Sequence, residues 1–327
     1  MEPASMTEPV GGAARRWQWV VRVVALVALA AVAFICLTAW APVVHGHPAY
    51  PVLLALTAGG AGVALWRARR PRARPGAWRL VGRGLLLVVA VGWVAAMVWL
   101  RPFAALQPAL TAMRSDGAVT VTESATRIVL APAAGGGPTS TTGVFFQPGA
   151  RVDARAYAAV LRPLAEAGHP VVIAKQPLGI AFLALSAFDG ARSALPEVQR
   201  WVVGGHSLGG TVAAMQADAA DADRTAPAVG LLLYASYPAG DVRGSLTAAV
   251  ESVSGSKDGL ATPAKIQASR ADLPADTTLT VIEGGSHAQF GAYGDQPGDG
   301  IPTITDEQAR RLITAASLRF VDSVSGG

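Results

Sequence analysis

A serine enclosed by glycines, in Gly205-His206-Ser207-Leu208-Gly209-Gly210, has the setting of a reactive residue. It follows the apolar run Trp201-Val202-Val203 and precedes an alanine-rich stretch, a pattern that predicts a strand, a sharp turn and a helix. In such a turn the glycines allow close approach of the chain, and the serine hydroxyl stands clear of the sheet. The Leu208 amide, at the helix start, can donate to an oxyanion. The pattern therefore predicts that Ser207 is a nucleophile.

A serine nucleophile needs a base, and the chain has five histidines. Where the serine sits on a strand-turn-helix elbow, the acid and then the histidine follow it along the chain. His287 is the only histidine after Ser207, and it lies just beyond the strand-like run Leu279-Thr280-Val281-Ile282. His287 is therefore the predicted general base.

The acid that orients the base is less constrained by the sequence. Asp258 lies in the turn Ser256-Lys257-Asp258-Gly259, after the possible strand 249–253, where a carboxylate could reach the imidazole. Asp241, in the turn after Leu231–Tyr234, is the alternative. For the second oxyanion donor we expect the loop that leaves the strand Gly143–Phe146, with the Ala150 amide as first choice.

These stretches resemble the α/β-hydrolase superfamily, specifically a small bacterial subfamily near the dienelactone hydrolases. The segments that carry the resemblance are 145–152, 164–178, the elbow 205–210, 255–259 and 284–291. The resemblance implies a triad of Ser207, Asp258 and His287, in agreement with the positional argument. One departure is Ala150, where relatives often have glycine, so the resemblance supports this oxyanion donor less than the triad.

Charge divides the chain into two regions. Residues 1–100 contain ten arginines, no lysine and two glutamates, whereas residues 101–327 contain 17 basic and 20 acidic residues. The high isoelectric point therefore reflects the N-terminal third, and the catalytic region lacks the basic face that nucleic-acid binding needs. No nucleic-acid partner is expected.

The N-terminal third has three apolar stretches, at about 19–40, 48–66 and 84–100. Each is near the length of about 20 residues that crosses a bilayer, which predicts three transmembrane helices. Arginines precede the first stretch and crowd the loop between the second and third, while the loop 41–50 has none. The positive-inside rule then places the N-terminus in the cytoplasm and the C-terminal region on the extracytoplasmic side of the cell membrane. The first stretch could instead be a cleaved signal, which leaves this placement unchanged.

The resulting organisation is a cytoplasmic tail at 1–16, a transmembrane region at 17–100, a linker at 101–117 and an α/β-hydrolase domain at 118–325. Strand-like and helical runs alternate within the domain, which predicts an α/β fold with a mostly parallel sheet and helices on both faces. The arginine-rich loop is interpreted as a topology determinant, with anionic lipid binding as the alternative. Two histidines, His45 and His47, do not make a metal site, and no metal or organic cofactor is implied.

The sequence thus predicts a membrane-anchored serine hydrolase that cleaves a carboxylic ester through an acyl-enzyme. A small-molecule or lipid-like ester is the expected substrate, because candidate pocket walls are apolar and the chain is anchored. Two alternatives stay open, namely an acyltransferase that uses the same triad and a membrane-anchored binding module without turnover.

Overall fold

A computed structural model describes residues 12–69, 77–134 and 139–326. The chain divides into two compact units, one comprising Met1–Val43 and Ala49–Arg101, the other Val44–Pro48 and Pro102–Gly327. Part of the predicted cytoplasmic tail, residues 1–11, lies outside the described residues, as do Arg70, Arg72 and Arg74 of the predicted arginine-rich loop.

Helices make up the N-terminal part of the chain: α1 (Gly12–Thr38), α2 (Trp40–His45), α3 (Ala49–Arg67) and α4 (Ala77–Trp99). Three segments of these helices are long and apolar enough to cross a membrane, namely Arg15–Thr38, Ala49–Arg67 and Val81–Trp99. The helical form suits such apolar segments because it satisfies every backbone polar group within the segment. The prediction of three apolar helices of spanning length is confirmed.

The second unit is built on one eight-stranded sheet with the strand order β1-β2-β4-β3-β5-β6-β7-β8. Strands β2 and β1 pair antiparallel, as do β2 and β4, and all other neighbours are parallel. The strands are β1 (Val119–Glu123), β2 (Arg127–Pro132), β3 (Thr142–Gln147), β4 (Val171–Ala174), β5 (Arg200–His206), β6 (Ala228–Tyr234), β7 (Ala249–Gly255) and β8 (Thr278–Ile282). The predicted mostly parallel sheet is confirmed, and the possible strand at 249–253 is the full strand β7.

Helices cover both faces of the sheet, as expected. They are α5 (Ala109–Ala112), α6 (Ala158–Glu166), α7 (Ala187–Ala194), α8 (Leu208–Ala220), α9 (Pro263–Ser269) and α10 (Asp306–Ser325). Successive side chains of a strand point to opposite faces, so the adjacent Phe145 and Phe146 enter two separate buried clusters. Phe146 packs with residues of α6 and α10, and Phe145 with residues of α7 and α8. Strands β3 to β7 are thereby buried on both faces, whereas the edge strand β8 is partly exposed. The carboxyl ends of β3 to β8 form one edge.

Residues 102–117, which the sequence predicts as part of a linker, belong to the second unit and pack against the rest of it. The Phe103 N–H donates to the Arg151 carbonyl at 2.8 Å, and the Asp153 N–H donates to the Phe103 carbonyl at 3.0 Å. Ala105 and Ala109 are buried in or beside the same core. The segment is thus a strap along the loop after β3 rather than a free connection, because its small and aromatic side chains fill space there.

Candidate active site

Ser207 stands between β5 and α8 in a backbone conformation that side chains rarely adopt, with φ 51° and ψ −126°. A positive φ is strained for a residue with a Cβ, and such strain persists only where the surrounding structure fixes it. Here β6 fixes it from one side, since the Ser207 N–H donates to the Tyr234 carbonyl of β6 at 3.0 Å. The Ser236 hydroxyl fixes it from the other, donating to the Ser207 carbonyl at 2.6 Å.

The glycines around Ser207 are required by close backbone approach. A Cβ on Gly205 would lie 2.5 Å from the carbonyl carbon and oxygen of Gly209. A Cβ on Gly209 would overlap the carbonyl oxygens of Gln147 and Pro148, in the loop that leaves β3. The turn around Ser207 is therefore in close backbone contact with the start of α8, and the start of α8 is in close contact with the end of β3 and the loop after it, as the glycine spacing predicts.

His287 and Asp258 meet at the same edge of the sheet. The Nδ1 atom of His287 lies 2.8 Å from Oδ2 of Asp258, and both side chains are almost fully buried. The other carboxylate oxygen accepts the backbone N–H groups of Leu260 and Ala261 at 2.7 and 2.8 Å. With the carboxylate as acceptor, Nδ1 of His287 carries the proton. Its Nε2 has no hydrogen-bond partner within the described residues, so its lone pair can accept a proton.

His287 also lies next to the elbow. The ring of His206, the residue before Ser207, has its centroid 4.5 Å from that of His287. The structure therefore pairs His287 with Asp258 after the ends of β8 and β7, next to His206 at the end of β5, the residue that precedes Ser207.

The alternative acid, Asp241, is engaged elsewhere. It is exposed, and its carboxylate accepts the Arg243 backbone N–H and guanidinium, both at 2.9 Å. These donors lower the pKa of Asp241, the backbone N–H being the larger influence. The carboxylate of Asp241 thus bonds to Arg243 in its own turn, whereas that of Asp258 bonds to the imidazole of His287.

Two backbone amides are candidate oxyanion donors. Leu208 occupies the first position of α8, and Ala150 lies in the turn after β3. Within the described residues neither N–H donates a hydrogen bond. The neighbouring Gly149 N–H is not available, because it donates to the Tyr157 hydroxyl at 2.9 Å.

Tyr157 is a residue that the sequence analysis missed. Its hydroxyl oxygen accepts the Gly149 N–H and also shares a 2.8 Å hydrogen bond with Nδ1 of His206. Burial is the main cause that holds the pKa of His206 well below its ordinary value, and a proton on the neighbouring His287 would lower it further, so the neutral form of the His206 ring is favoured. Tyr157 thus joins the loop after β3 to the strand end that bears the serine.

Buried glutamines brace the same loop. The Gln176 amide donates to the side chain of Gln147 and to the Pro148 carbonyl, both at 2.9 Å. The Gln147 amide in turn donates to Gln216 of α8 and to the Ala184 carbonyl, both at 3.2 Å. These bonds connect the end of β3 and the turn that carries Ala150 to the segment after β4, to the segment before α7 and to α8.

Asp299 is the second residue that the sequence analysis missed as part of the site. It lies in the loop after His287. Its Oδ1 accepts the N–H groups of Gly259, His287 and Gly300 at 3.1, 3.1 and 2.7 Å, and its Oδ2 accepts that of Ala288 at 2.8 Å. Four backbone donors satisfy this carboxylate, so it positions loops rather than reacting.

Within residues 12–69, 77–134 and 139–326, no group of three or more His, Cys, Asp or Glu side chains could hold a metal ion. His45 of the His45-Gly46-His47 segment instead approaches Glu123, with Nδ1 3.6 Å from Oε2.

Comparison with solved structures finds many folds of similar architecture. One is a dienelactone hydrolase-like promiscuous phosphotriesterase from metagenomic libraries, 17% identical, with a TM-score of 0.47 over 64% of this chain and 100% of that one. A thermostable esterase from Pseudomonas putida is 14% identical, with a TM-score of 0.47 over 66% of this chain and 87% of that one. An α/β serine hydrolase without a lid from Xanthomonas campestris is 14% identical, with a TM-score of 0.44 over 63% of this chain and 96% of that one.

No curated protein matches the chain significantly. The family model described as the alpha/beta hydrolase family matches residues 143–311, more than half of the sequence. That range contains Ser207, Asp258 and His287 and the strands β3 to β8 that position them. The chain belongs to the alpha/beta hydrolase family.

Proposed function

We propose that this protein is a membrane-anchored serine hydrolase that cleaves carboxylic esters. The observation that carries the proposal is the buried His287–Asp258 pair, whose Nε2 is free to take a proton beside the strained Ser207 elbow. A binding module has no need of this arrangement, since satisfying the imidazole with two partners costs less than leaving a buried nitrogen unpaired.

In the first half of the reaction the Ser207 oxygen attacks the ester carbonyl carbon, and its proton passes to Nε2 of His287. Asp258 keeps the Nδ1 proton in place and stabilises the imidazolium that forms. Negative charge develops on the former carbonyl oxygen, where the Leu208 and Ala150 N–H groups donate to it. The bond to the leaving alcohol then breaks, the alcohol oxygen takes the proton from Nε2, and an acyl-enzyme results.

In the second half a water molecule attacks the acyl carbon and gives a proton to Nε2 of His287. The tetrahedral intermediate collapses, the bond to the Ser207 oxygen breaks, and the serine recovers its proton from the imidazolium. The products are the carboxylic acid and the free enzyme, so atoms and protons balance with water as the only co-reactant.

The membrane anchor and the substrate class are also proposals. Three helices of spanning length and the arginines around them support an N-terminus in the cytoplasm and a hydrolase unit outside it. Attachment to a bilayer favours substrates that partition there, so we propose an apolar or lipid-like ester over a water-soluble one. The family resemblance favours an ester over an amide.

Fluorophosphonate labelling of membranes that contain the full chain tests the nucleophile. Wild type and Ser193→Ala, which removes an exposed serine of α7, should be labelled, and Ser207→Ala and His287→Ala should not. No labelling of folded wild type, or equal labelling of Ser207→Ala, would reject the proposal. A panel of p-nitrophenyl esters of increasing chain length, with and without an added alcohol, then separates short from lipid-like substrates and hydrolysis from transfer.

A further inference from the structure

The first unit contains a cavity of about 460 Å³ between α1, α3 and α4. Its walls are mostly aliphatic, and small residues on one side of α3, namely Gly60, Ala61 and Ala64, make the room. Arg83 is an exception, since it is a cation that lines this apolar space.

The cavity has the length of one lipid leaflet. On α1 its lining runs from Trp17 to Ala28, and on α4 from Arg83 to Val94, which is twelve residues or eleven steps along the helix in each case. At about 1.5 Å per residue this is about 16 Å, roughly half of the ~30 Å hydrocarbon core. A transmembrane helix of another chain would need a groove along the whole thickness of the hydrocarbon core. An acyl chain from one leaflet fits a cavity of about half that length.

The two ends of the cavity differ. Hydrogen bonds from Arg22 to the Ala68 carbonyl and from Tyr50 to the Met97 carbonyl place α3 antiparallel to both α1 and α4. At the deep end the Trp93 indole N–H donates to the Thr57 hydroxyl at 2.8 Å, so the polar groups there are satisfied.

The other end is cationic. The start of α1, the end of α3 and the start of α4 meet there, and seven arginines lie in or directly beside these segments of the sequence: Arg15, Arg16, Arg22, Arg67, Arg69, Arg79 and Arg83. Residues 12–100 contain no aspartate or glutamate to offset them. Arg83 makes no hydrogen bond or ion pair with the described part of the chain, so its guanidinium is available to an anion from outside.

We propose that this unit binds one anionic glycerophospholipid, with an acyl chain in the cavity and the phosphate group at Arg83. The inference rests on the proposed membrane insertion but not on the triad. Anionic rather than zwitterionic lipid is favoured because every charge at this end is positive. An arginine close to the lipid phosphate, as proposed for Arg83, is worth about 1 kcal/mol, which is about a five-fold change in affinity.

Native mass spectrometry of the full chain, purified from membranes in mild detergent, tests the site. Wild type should retain about one anionic phospholipid, identified by extraction. Gly60→Leu should lose it, because a Cβ at Gly60 meets nothing within 4 Å and the side chain enters the cavity. Gly62→Leu is the matched control, since this α3 glycine is equally open but does not line the cavity.

Arg83→Gln should lower retention of added phosphatidylglycerol about five-fold without changing that of phosphatidylcholine. Arg16 does not line the cavity, so Arg16→Gln should change the retention of either lipid little. Equal retention by wild type and Gly60→Leu would overturn the proposal, and so would a dimer in wild type that Gly60→Leu separates without loss of lipid. Recovery of the chain in the soluble fraction would reject membrane insertion itself. Fluorophosphonate labelling of the same samples reports on the triad independently.

Discussion

Asp299 accepts the backbone N–H of His287 at 3.1 Å, so the candidate base is held through its main chain as well as its ring. The same oxygen accepts the N–H of Gly259, which directly follows Asp258. One carboxylate thus ties the loop of the acid to the loop of the base. Burial raises the pKa of Asp299, but the four backbone donors outweigh it and hold the pKa below its ordinary value.

Replacing Asp299 with asparagine should lower kcat about 10- to 100-fold and change KM little. The amide nitrogen of asparagine cannot accept a hydrogen bond, so some of the backbone donors lose their partner and the imidazole of His287 shifts. A displacement near 1 Å costs about 100-fold in rate. Steady-state kinetics on an activated ester measure the effect. Asp295→Asn, an exposed aspartate in the same loop, should behave as wild type. Equal kinetics for all three proteins would contradict this positioning role.

The depressed pKa of Asp299 also predicts a pH dependence of stability. The carboxylate stabilises the fold fully above its unfolded pKa of about 3.9, and this contribution disappears as pH falls through the lower folded pKa. The difference in unfolding free energy between wild type and Asp299→Asn should therefore be constant above about pH 5 and shrink below about pH 4. Urea unfolding across this range measures it, and a difference that grows toward acid would refute the assignment.

Asp258→Asn should lower kcat by about 10⁴-fold, because the amide no longer holds the imidazole in the required tautomer. Asp241→Asn, the alternative acid, should leave kcat within about two-fold, as surface changes of this kind have small effects. Burst and steady-state kinetics on the same ester compare the two. The reverse ranking would transfer the role to Asp241.

Tyr157→Phe should reduce kcat by destabilising the turn that presents the Ala150 amide. It leaves the Gly149 N–H buried without an acceptor, at a cost of about 1–3 kcal/mol. Both a lower Tm and a lower rate are expected. Tyr237→Phe is the matched control, since the Tyr237 hydroxyl has no hydrogen-bond partner among the described residues. A lower Tm with an unchanged rate per folded molecule would leave Tyr157 a structural role only.

The proposed orientation predicts the behaviour of fusion reporters. Alkaline phosphatase, which is active only after export, should be active when fused after Gly327 and inactive when fused after Arg69. Green fluorescent protein should give the opposite pattern. An active phosphatase at both positions, or at Arg69 alone, would contradict the assigned topology.

The residues predicted from the sequence are those with a local signature. Ser207 has glycines at fixed offsets and follows a strand, and His287 is the one histidine in the required order. The mostly parallel sheet was predictable for the same reason, because each strand-like or helical run is recognised within a short stretch of the sequence and the two kinds alternate.

Tyr157 and Asp299 could not be identified in this way. Tyr157 acts on Gly149 and on His206, 49 residues away, and Asp299 acts on Gly259, 40 residues away. Glycines on either side of Asp299 do predict a turn, but no spacing tells which distant amides a carboxylate will meet. The strap at 102–117 escaped prediction similarly, because its pairing with Val152 joins segments far apart in the chain.

Strand β8 lies at one edge of the sheet, pairs with β7 and is the last strand of the chain. In the proposed mechanism the base, His287, follows β8 in the chain. Ser207 therefore gains its proton acceptor only when β8 has paired with β7. Under the proposed topology, a chain still being synthesised or exported would therefore carry an inert hydroxyl through the bilayer, and the order of the strands would delay the proposed hydrolytic activity until folding is complete.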